Sequence, residues 1–518
     1  MHTAKRAFLA AIMAASALSA TPALAQNSDA ELEALRAEVA ALKAQIAAIS
    51  AKLDTVAAAP VAAPAPIAAA APEKKGGPEI KFKGAPEIST ADGWSFKPRG
   101  RIHIDAGSVS SPGALQSRSL GFTTRIRRVR LGMEGTFPGN FGYKAEADFA
   151  NGNVAFGDVW LTYNPVNAPV VVRLGNFELN SMEQIASSNS VTFIERNAFN
   201  EAFINARRLG AAIAFSNKSK DLAAEFGLFT GHAIDATLDN DGWIGAARMY
   251  YAPKLGKTQL HIGMNAQYRD FSSNNGGTAS TSSLAPSTNQ LARYRARPNS
   301  QLTDIRFVDT GSFAAKSDFI LGLETAAIWP GFYINGEAQW MKTQAYDAGD
   351  LASGLDVFSG GNIAVVPTSN PGFFGAFAEI GTFLTGETRG YAKGLWTRPK
   401  VANPVGKGGM GAFHIAGRFD YLDLDDEALK NGLTNNFTAG TTSLAALNTR
   451  LGRGGTQSTY SLGLNWYPID YIRFMLNYNR VNVEGGPLAA TVLPFSNDPV
   501  DERSYRVDVF AARMQVEF

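Results

Sequence analysis

The chain has 518 residues with 51 Gly, 24 Pro and no Cys, and its 48 Lys and Arg nearly balance its 46 Asp and Glu. The absence of Cys excludes a disulfide framework, a thiolate nucleophile and Cys-ligated metal centres. The near-neutral charge argues against a general nucleic-acid-binding protein, which needs a basic surface.

The N-terminus has the pattern of an export signal. Lys5 and Arg6 precede an apolar stretch, residues 7–20, and the small residues Ala23 and Ala25 follow it. This pattern predicts a signal peptide over residues 1–25, and the apolar stretch is too short to span a bilayer. We therefore expect the mature chain to be exported.

Residues 28–56 predict a coiled-coil helix. Apolar residues alternate there at intervals of three and four, at Leu32, Leu35, Val39, Leu42, Ile46, Ile49 and Leu53. So narrow a stripe indicates self-association, and an amphipathic helix packed on its own chain is the alternative. Residues 57–97 then form a linker that opens with the Ala/Pro-rich run 57–72, typical of a semi-rigid spacer.

From residue 98 to residue 518 the dominant period is two. Leu260, Ile262 and Met264, for example, alternate with polar residues. Successive side chains of a strand point to opposite faces, so each segment has one apolar and one polar face. The segments have roughly the length that a tilted strand needs to cross a membrane. No helical segments remain to cover the apolar faces.

Sixteen such segments predict an all-β fold, a 16-stranded antiparallel transmembrane β-barrel. The candidate strands are 98–108, 124–136, 141–150, 157–163, 169–176, 208–216, 221–229, 242–252, 257–269, 317–327, 332–343, 373–384, 410–421, 458–467, 471–482 and 505–518. In such a barrel every second connection should be a short turn. Among these connections only 385–409 is longer than a turn. The last strand ends on Phe518, as outer-membrane barrels usually do, which predicts insertion by the barrel-assembly machinery.

A barrel of this size encloses an aqueous channel, whose selectivity depends on the charges that face inward. The polar parity assigns equal numbers of basic and acidic residues to the lumen, so counting does not establish an anion preference. Four arginines cluster in residues 125–130. By parity Arg128 and Arg130 face the lumen, whereas Arg125 and Arg127 are expected near the rim.

The candidates for an anion path are Arg128, Arg130, Lys144, Arg173, Arg196, Arg207, Arg208 and Arg248. Arginine suits such a path because its planar fork binds oxyanions bidentately and stays charged. The alternative is that these cations pair with lumen carboxylates and lipid phosphates.

The segment between Gly175 and Arg208 is the candidate constriction loop. It contains apolar residues that a solvated loop does not need: Ile185, Val191, Phe193, Ile194, Phe199, Phe203 and Ile204. It should therefore pack against the inner wall, with packing at a subunit interface outside the barrel as the alternative. In the first case Glu183, Glu195 and Glu201, together with Arg196 and Arg207, should lie near the narrowest point.

Five stretches resemble the phosphate-selective porin family, the outer-membrane porins of the O and P type. They are VRLGNFELNSMEQIASSNSVTFIERNAF at 172–199, ARRLGAAIAF at 206–215, FLTGETRGYAKG at 383–394, GAFHIAGRFDYLDL at 411–424 and LGLNWYPIDYIRFMLNYNRV at 462–481. The resemblance implies a trimer of 16-stranded barrels, each with an inward third loop and an arginine-rich anion path. It also implies that FLTGE ends a strand before a long connection.

These observations favour an outer-membrane porin, a passive channel for phosphate, polyphosphate or other small anions, with no cofactor and no metal. The balanced lumen charge keeps a non-selective or carbohydrate porin open, and a structural tether held by the coiled coil is the alternative of another class. An outer-membrane hydrolase would need a nucleophile–base pair, and none is readable. The expected partners are outer-membrane lipid, two further copies of the chain, small anions and the assembly machinery, with no nucleic acid.

Overall fold

The computed structural model describes residues 77–152, 154–231, 242–271, 291–345, 365–430, 433–436, 440–443 and 453–518. The predicted signal peptide, residues 1–25, and the Ala/Pro-rich run 57–72 lie outside the described residues. Within 28–56 only five positions are described, all helical and exposed: Ala40, Ala41, Lys43, Ala44 and Ala47. The coiled coil therefore stays a prediction, as does the division of the chain into four segments.

Sixteen antiparallel strands form the body of the fold. They are β1 Ser95–Val109, β2 Gly121–Phe137, β3 Phe141–Asp148, β4 Ala155–Tyr163, β5 Val170–Phe177, β6 Arg208–Ser216, β7 Leu222–Thr230, β8 Trp243–Tyr251, β9 Thr258–Asp270, β10 Phe313–Trp329, β11 Phe332–Ala345, β12 Gly372–Phe383, β13 Ala412–Asp423, β14 Thr456–Ile469, β15 Ile472–Glu484 and β16 Ser504–Glu517. Each strand pairs with the next, and β16 pairs with β1 over Arg101–Val109, so the sheet closes without an edge. The predicted 16-stranded barrel is confirmed, and each strand lies within a few residues of its expected position.

The connections between these strands contain short helices and short strands. The helices are α1 Met182–Ile185, α2 Ala198–Ala202, α3 Glu427–Lys430 and α4 Ala489–Val492, with 3-10 turns at Ala150–Gly152 and Val500–Glu502. The short strands are Glu79–Phe82, Pro86–Ser89, Lys254–Leu255, Leu291–Ala292, Arg295–Ala296, Val308–Asp309, Val365–Val366, Tyr391–Ala392, Leu395–Trp396, Leu433–Asn436 and Gly440–Ser443. None of the described helices is long and apolar enough to cross a bilayer.

The alternation of the sequence becomes an apolar outside and a polar inside. On β9, Ile262 is 60% exposed, whereas the adjacent His261 is buried. On β15, Leu476 is 58% exposed, whereas Asn477 is buried. Large apolar side chains are stable in this exposed position only against lipid, because water would penalise so extensive an apolar surface.

Three of the connections that the structure describes fold back into the barrel. The first is 178–207, between β5 and β6, and the second is the described part of the β9–β10 connection, 291–312. Tyr294, Leu302 and Phe307 of 291–312 are buried in one apolar cluster with residues of the first connection. Apolar contacts therefore hold this part of the connection inside the barrel.

The third inward connection, 384–411, joins β12 to β13 from the end of the barrel that carries the short turns. It contains the hairpin Tyr391–Ala392 and Leu395–Trp396. Arg389 donates a hydrogen bond to the carbonyl oxygen of Ser190 in the first connection. The length of 384–411 is thus explained by an inward fold, and the count of sixteen strands needs no correction.

Candidate functional site

The segment 178–207, which we call the inward loop, lies across the lumen and is fastened to the wall formed by β10–β15. Asn197 starts α2 as its N-cap, since its side chain accepts a hydrogen bond from the backbone N–H of Asn200. Four backbone N–H groups of the loop donate to polar side chains of the wall: Met182 to Glu324, Glu183 to Glu337 at 2.6 Å, Ile194 to Asn477 at 2.8 Å and Ala198 to Asp420 at 3.3 Å. The wall therefore satisfies loop donors that would otherwise be buried without partners.

Apolar packing holds the same loop. The ring of Phe199 is fully buried and stacks against Phe377 of β12, with ring centroids 6.1 Å apart. Phe199 fits because the wall has Gly375 beneath it, and a Cβ added at Gly375 would overlap the Cβ of Phe199. A glycine at this position sets how closely α2 approaches the wall.

Replacing Gly375 with valine is expected to push α2 into the lumen and to lower single-channel conductance roughly twofold, because conductance follows the width of the narrowest section. Gly417→Val on the adjacent strand β13 is the matched control. A Cβ at Gly417 faces outward and has no neighbouring atom closer than 3.9 Å. Planar-bilayer recordings of both variants test this, and equal conductance in the two would contradict the expected role of Gly375.

Between the inward loop and strands β1–β8 lies an open cavity of about 820 Å³. Counted over the described residues, eleven basic residues line it: Arg99, Arg101, Arg127, Arg128, Arg130, Lys144, Arg173, Arg196, Arg207, Arg248 and Lys393. Six acidic residues line it: Glu146, Asp158, Glu178, Glu195, Glu201 and Glu225. The cavity wall thus carries an excess of five positive charges.

The inward loop covers charged residues of both signs on the wall away from the cavity. Glu324, Glu337 and Asp420 of the β10–β15 wall are at most 3% exposed and accept hydrogen bonds from the loop. Glu379 of β12 accepts one from the hydroxyl of Thr192. The same loop covers Arg418, Arg473 and Arg513, since each donates a hydrogen bond to one of its carbonyl oxygens. The positive excess therefore belongs to the part of the lumen that the cavity occupies.

The expected position of Arg125 and Arg127 near the rim is wrong for Arg127. The pairing of β1 with β2 passes from His103↔Arg128 to Ile104↔Ile126, so Arg127 is the extra residue of a β-bulge. The bulge turns Arg127 inward, where its Nε lies 2.8 Å from Glu195 of the inward loop. Arg125 also departs from the expectation, since it donates to the carbonyl oxygen of Gln301 in an inward connection.

The two central candidates differ in their partners. Arg130 is held by Glu146 at 3.0 Å and by Asp148 at 2.8 Å. Arg128 also lines the cavity, but within the described part of the chain no carboxylate lies within salt-bridge distance of its guanidinium group, and its Nε has no hydrogen-bond partner. One of its terminal nitrogens lies 3.5 Å from Nδ1 of His103. Arg128 is therefore the candidate cation best placed to attract an anion.

Three further candidates line the cavity within ion pairs. Lys144 and Arg207 each approach Asp158 at 2.5 Å, and Arg207 also contacts Glu178 at 2.7 Å. Arg173 lies 3.4 Å from Glu225, between the rings of Trp160 and Phe177. These pairs agree with the alternative that lumen cations bind lumen carboxylates.

The remaining candidates have mainly structural contacts. Arg248 pairs with Glu324 at 2.7 Å and donates to the carbonyl oxygen of Gly394. Arg196 donates to the carbonyl oxygens of Glu183 and Ala186, each at 2.7 Å, and so closes the inward loop on itself.

Of the remaining candidates, Arg208, Glu183 and Glu201, one lines the cavity and two do not. Arg208 donates to the carbonyl oxygen of Gly231, and it is not among the described residues that line the cavity. Glu201 lines the cavity and pairs with Arg297 of the second inward connection. Glu183 is buried and is not among the described residues that line the cavity.

Glu195 has the most highly charged surroundings of the loop carboxylates. It contacts Arg127 at 2.8 Å and Arg513 at 2.9 Å. Burial alone would raise the pKa of Glu195, but Arg127, Arg513 and Arg128 hold it well below its ordinary value. Glu195 is therefore ionised and neutralises part of the arginine cluster.

The candidates for the anion path omit four lining cations, Arg99, Arg101, Arg127 and Lys393, although the parity of β1 assigns Arg101 to the lumen. Arg99 and Arg101 have the inward parity of β1 and could have been selected with Arg128. Arg127 reaches the cavity because of the β-bulge, which the alternation of the sequence does not show. Lys393 has no readable signal, because only the inward fold of 384–411 brings it to the cavity.

Comparison with known proteins relates the chain to one family. A model of that family, described as phosphate-selective porin O and P, matches residues 96–518. An uncharacterized protein of Caulobacter vibrioides is 32% identical over 541 aligned positions, which cover 98% of this chain and 96% of that protein. An anion-selective porin from Comamonas acidovorans is 12% identical with a TM-score of 0.43, over 82% of this chain and 100% of its own. Pseudomonas putida OprB is 10% identical with a TM-score of 0.45, over 82% and 94%.

Proposed function

The chain belongs to the phosphate-selective porin O and P family and is an outer-membrane porin, and from this premise we propose that its channel passes small anions, phosphate among them. The family and the closed barrel point to a channel rather than to an enzyme. Transport through such a channel is passive and needs no cofactor.

The excess of positive charge on the cavity wall carries this proposal. A charged wall of low dielectric constant raises the local concentration of counter-ions, so an anion entering the cavity has a lower energy there than a cation. The excess is a property of the folded chain, since it depends on which charged residues of distant segments come together on the cavity wall.

Phosphate is supported by the type of cation as well as by the family. Arg101, Arg128 and Arg130 lie on the adjacent paired strands β1 and β2, and all three line the cavity. Arg101 also contacts the hydroxyl of Ser188 at 2.9 Å. Guanidinium forks and a hydroxyl are the donors that a tetrahedral oxyanion accepts from.

A planar bilayer containing the purified protein tests the proposal. Under a potassium chloride gradient we expect a reversal potential of the sign set by chloride, because anions should permeate more easily than cations. Phosphate added to chloride solution should reduce the chloride current, because an oxyanion held by the arginines occupies the path.

The outcomes separate the competing functions. A reversal potential near zero, with chloride current unaffected by phosphate, would favour a non-selective or carbohydrate porin, and a cation preference would contradict the anion channel outright. Absence of conductance in an inserted barrel would favour a structural tether. We further propose, from the family resemblance, that the channel assembles as a homotrimer. The sequence patterns lead us to propose also that residues 1–25 are removed on export and that the strand ending at Phe518 is recognised by the barrel-assembly machinery.

A further inference from the structure

A short hairpin precedes the barrel and continues its sheet. Glu79–Phe82 pairs with Pro86–Ser89, which in turn pairs with β1 at Ile88↔Phe96 and Ser89↔Ser95. At these positions β1 already pairs with β2 on its other edge, so the hairpin lies on the edge that faces β16. The pairing of β16 with β1 ends at Gly100. The hairpin continues along the same edge of β1 from Phe96, at the rim of the barrel that carries the short turns.

The register of the hairpin places its apolar residues on the outer face of the barrel. Directly paired residues of antiparallel strands have their side chains on the same face. Ile80 pairs with Ile88, and Ile88 pairs with Phe96, which has the parity of the outward-facing Ile102. Phe82 has the same parity as Ile80. The lipid-facing surface of β1 therefore continues onto the hairpin.

This apolar row is strongly exposed. Phe82 is 77% exposed, Ile80 is 56% exposed and Phe96 is 42% exposed. The other face of the strand Glu79–Phe82 is charged, and Lys81 lies 3.0 Å from Glu79 on it. The hairpin is thus amphipathic across its two faces.

The hairpin is fixed against the rim. Its turn contains Gly84 with φ +84°, and a Cβ added there would overlap the ring of Tyr471, so only glycine allows this approach. Lys97 of β1 donates to the carbonyl oxygen of Lys83 at 3.1 Å. The hairpin that carries the exposed apolar row is therefore held in place against the barrel.

We propose that residues 79–89 are a docking surface for the phospholipid of the inner leaflet, with Ile80 and Phe82 inserted at the boundary between headgroups and acyl chains. Continuity with the lipid-facing wall selects lipid rather than a second copy of the chain as the occupant. The aromatic residues beside the hairpin support the same depth, since Trp94 is half exposed and packs edge-on against Phe137, with ring centroids 5.1 Å apart. Aromatic residues and lysines gather at this level of a bilayer.

Because the chain has no Cys, a single cysteine can carry a nitroxide label at a chosen position. Ile80→Cys and Phe82→Cys place the label in the apolar row, and Lys81→Cys is the matched control on the opposite face of the same strand. The labelled proteins are reconstituted in vesicles of phosphatidylethanolamine and phosphatidylglycerol. Unchanged conductance shows that each barrel has folded.

Accessibility to oxygen, which partitions into lipid, is compared with accessibility to a water-soluble nickel chelate. We expect the ratio of oxygen to nickel accessibility to be several-fold higher at positions 80 and 82 than at position 81. Equal ratios at the three positions would overturn the proposal, since the row would then face water. Loss of access to both reagents at 80 and 82, in vesicles and in detergent alike, would also overturn it and would indicate a second copy of the chain as the occupant.

Discussion

Replacing Arg128 and Arg130 with alanine is expected to lower the ratio of anion to cation permeability roughly tenfold, which corresponds to about 1.4 kcal/mol. A unit charge about 10 Å away changes the energy of an ion by roughly 1.7 kcal/mol at an effective dielectric constant of about 20, and salt reduces this value. The change at Arg130 also leaves Glu146 and Asp148 without one of their cations, so both losses act in the same direction. The reversal potential in a salt gradient measures the effect.

The control for this double variant is Arg480→Ala. Arg480 is a half-exposed arginine of β15 that lies 3.3 Å from Asp508, and its alternation with the buried Asn479 places it on the outer face. Its removal changes the net charge of the chain without changing the lumen, so the reversal potential should stay the same. An equal shift in the control, or no shift in the double variant, would show that the arginines of β2 act only as partners of the wall.

Arg128→Lys separates charge from hydrogen-bonding geometry. Lysine keeps the positive charge but lacks the planar fork, so the reversal potential should hardly change. Block of the chloride current by phosphate should nevertheless weaken several-fold, because the bidentate contact is lost. If phosphate blocks the lysine variant and the parent channel equally, the fork of Arg128 is not the phosphate contact.

The barrel could be predicted from the sequence because the membrane imposes a regular pattern on every strand. Each strand has lipid on one face and the lumen on the other, so period-two alternation carries through all sixteen. Strand ends are less well predicted where a strand extends beyond the lipid. The predicted segment 317–327 is β10 Phe313–Trp329 in the structure, because Phe313 and Ala315 at its outer end are buried in the apolar cluster of the inward connections.

The lumen could be predicted only in part, because its interior depends on contacts between distant parts of the chain. The apolar residues of 178–207 correctly indicate that the segment packs. They do not indicate which part of the barrel wall the segment packs against. That position depends on hydrogen bonds to Glu324, Glu337 and Asp420, which lie more than 120 residues away in the sequence. The excess of positive charge depends on which charged residues the inward loop covers and which it leaves on the cavity wall, so a count of parities along the sequence could not reveal it.

The opposite change in selectivity is expected when Glu195 is replaced with glutamine. Glutamine keeps the size of the side chain and removes the negative charge that Glu195 supplies to Arg127 and Arg513. The cavity gains one net positive charge, so the ratio of anion to cation permeability should rise several-fold. The measurement is again the reversal potential, and a fall in the ratio would contradict the charge balance derived for the cavity.

Glu183→Gln is the matched control for this change, in the same loop and with the same chemistry. Burial, together with the neighbouring carboxylate of Glu379, raises the pKa of Glu183, and Glu183 is absent from the described residues that line the cavity. Its replacement should leave the reversal potential unchanged, and a shift equal to that of Glu195→Gln would contradict the assignment of Glu195 to the anion path.

The lowered pKa of Glu195 adds a test on the unmodified channel. A carboxyl group with a lowered pKa stays ionised as the pH falls from 7 to 5, so mild acid should not reproduce the selectivity of Glu195→Gln.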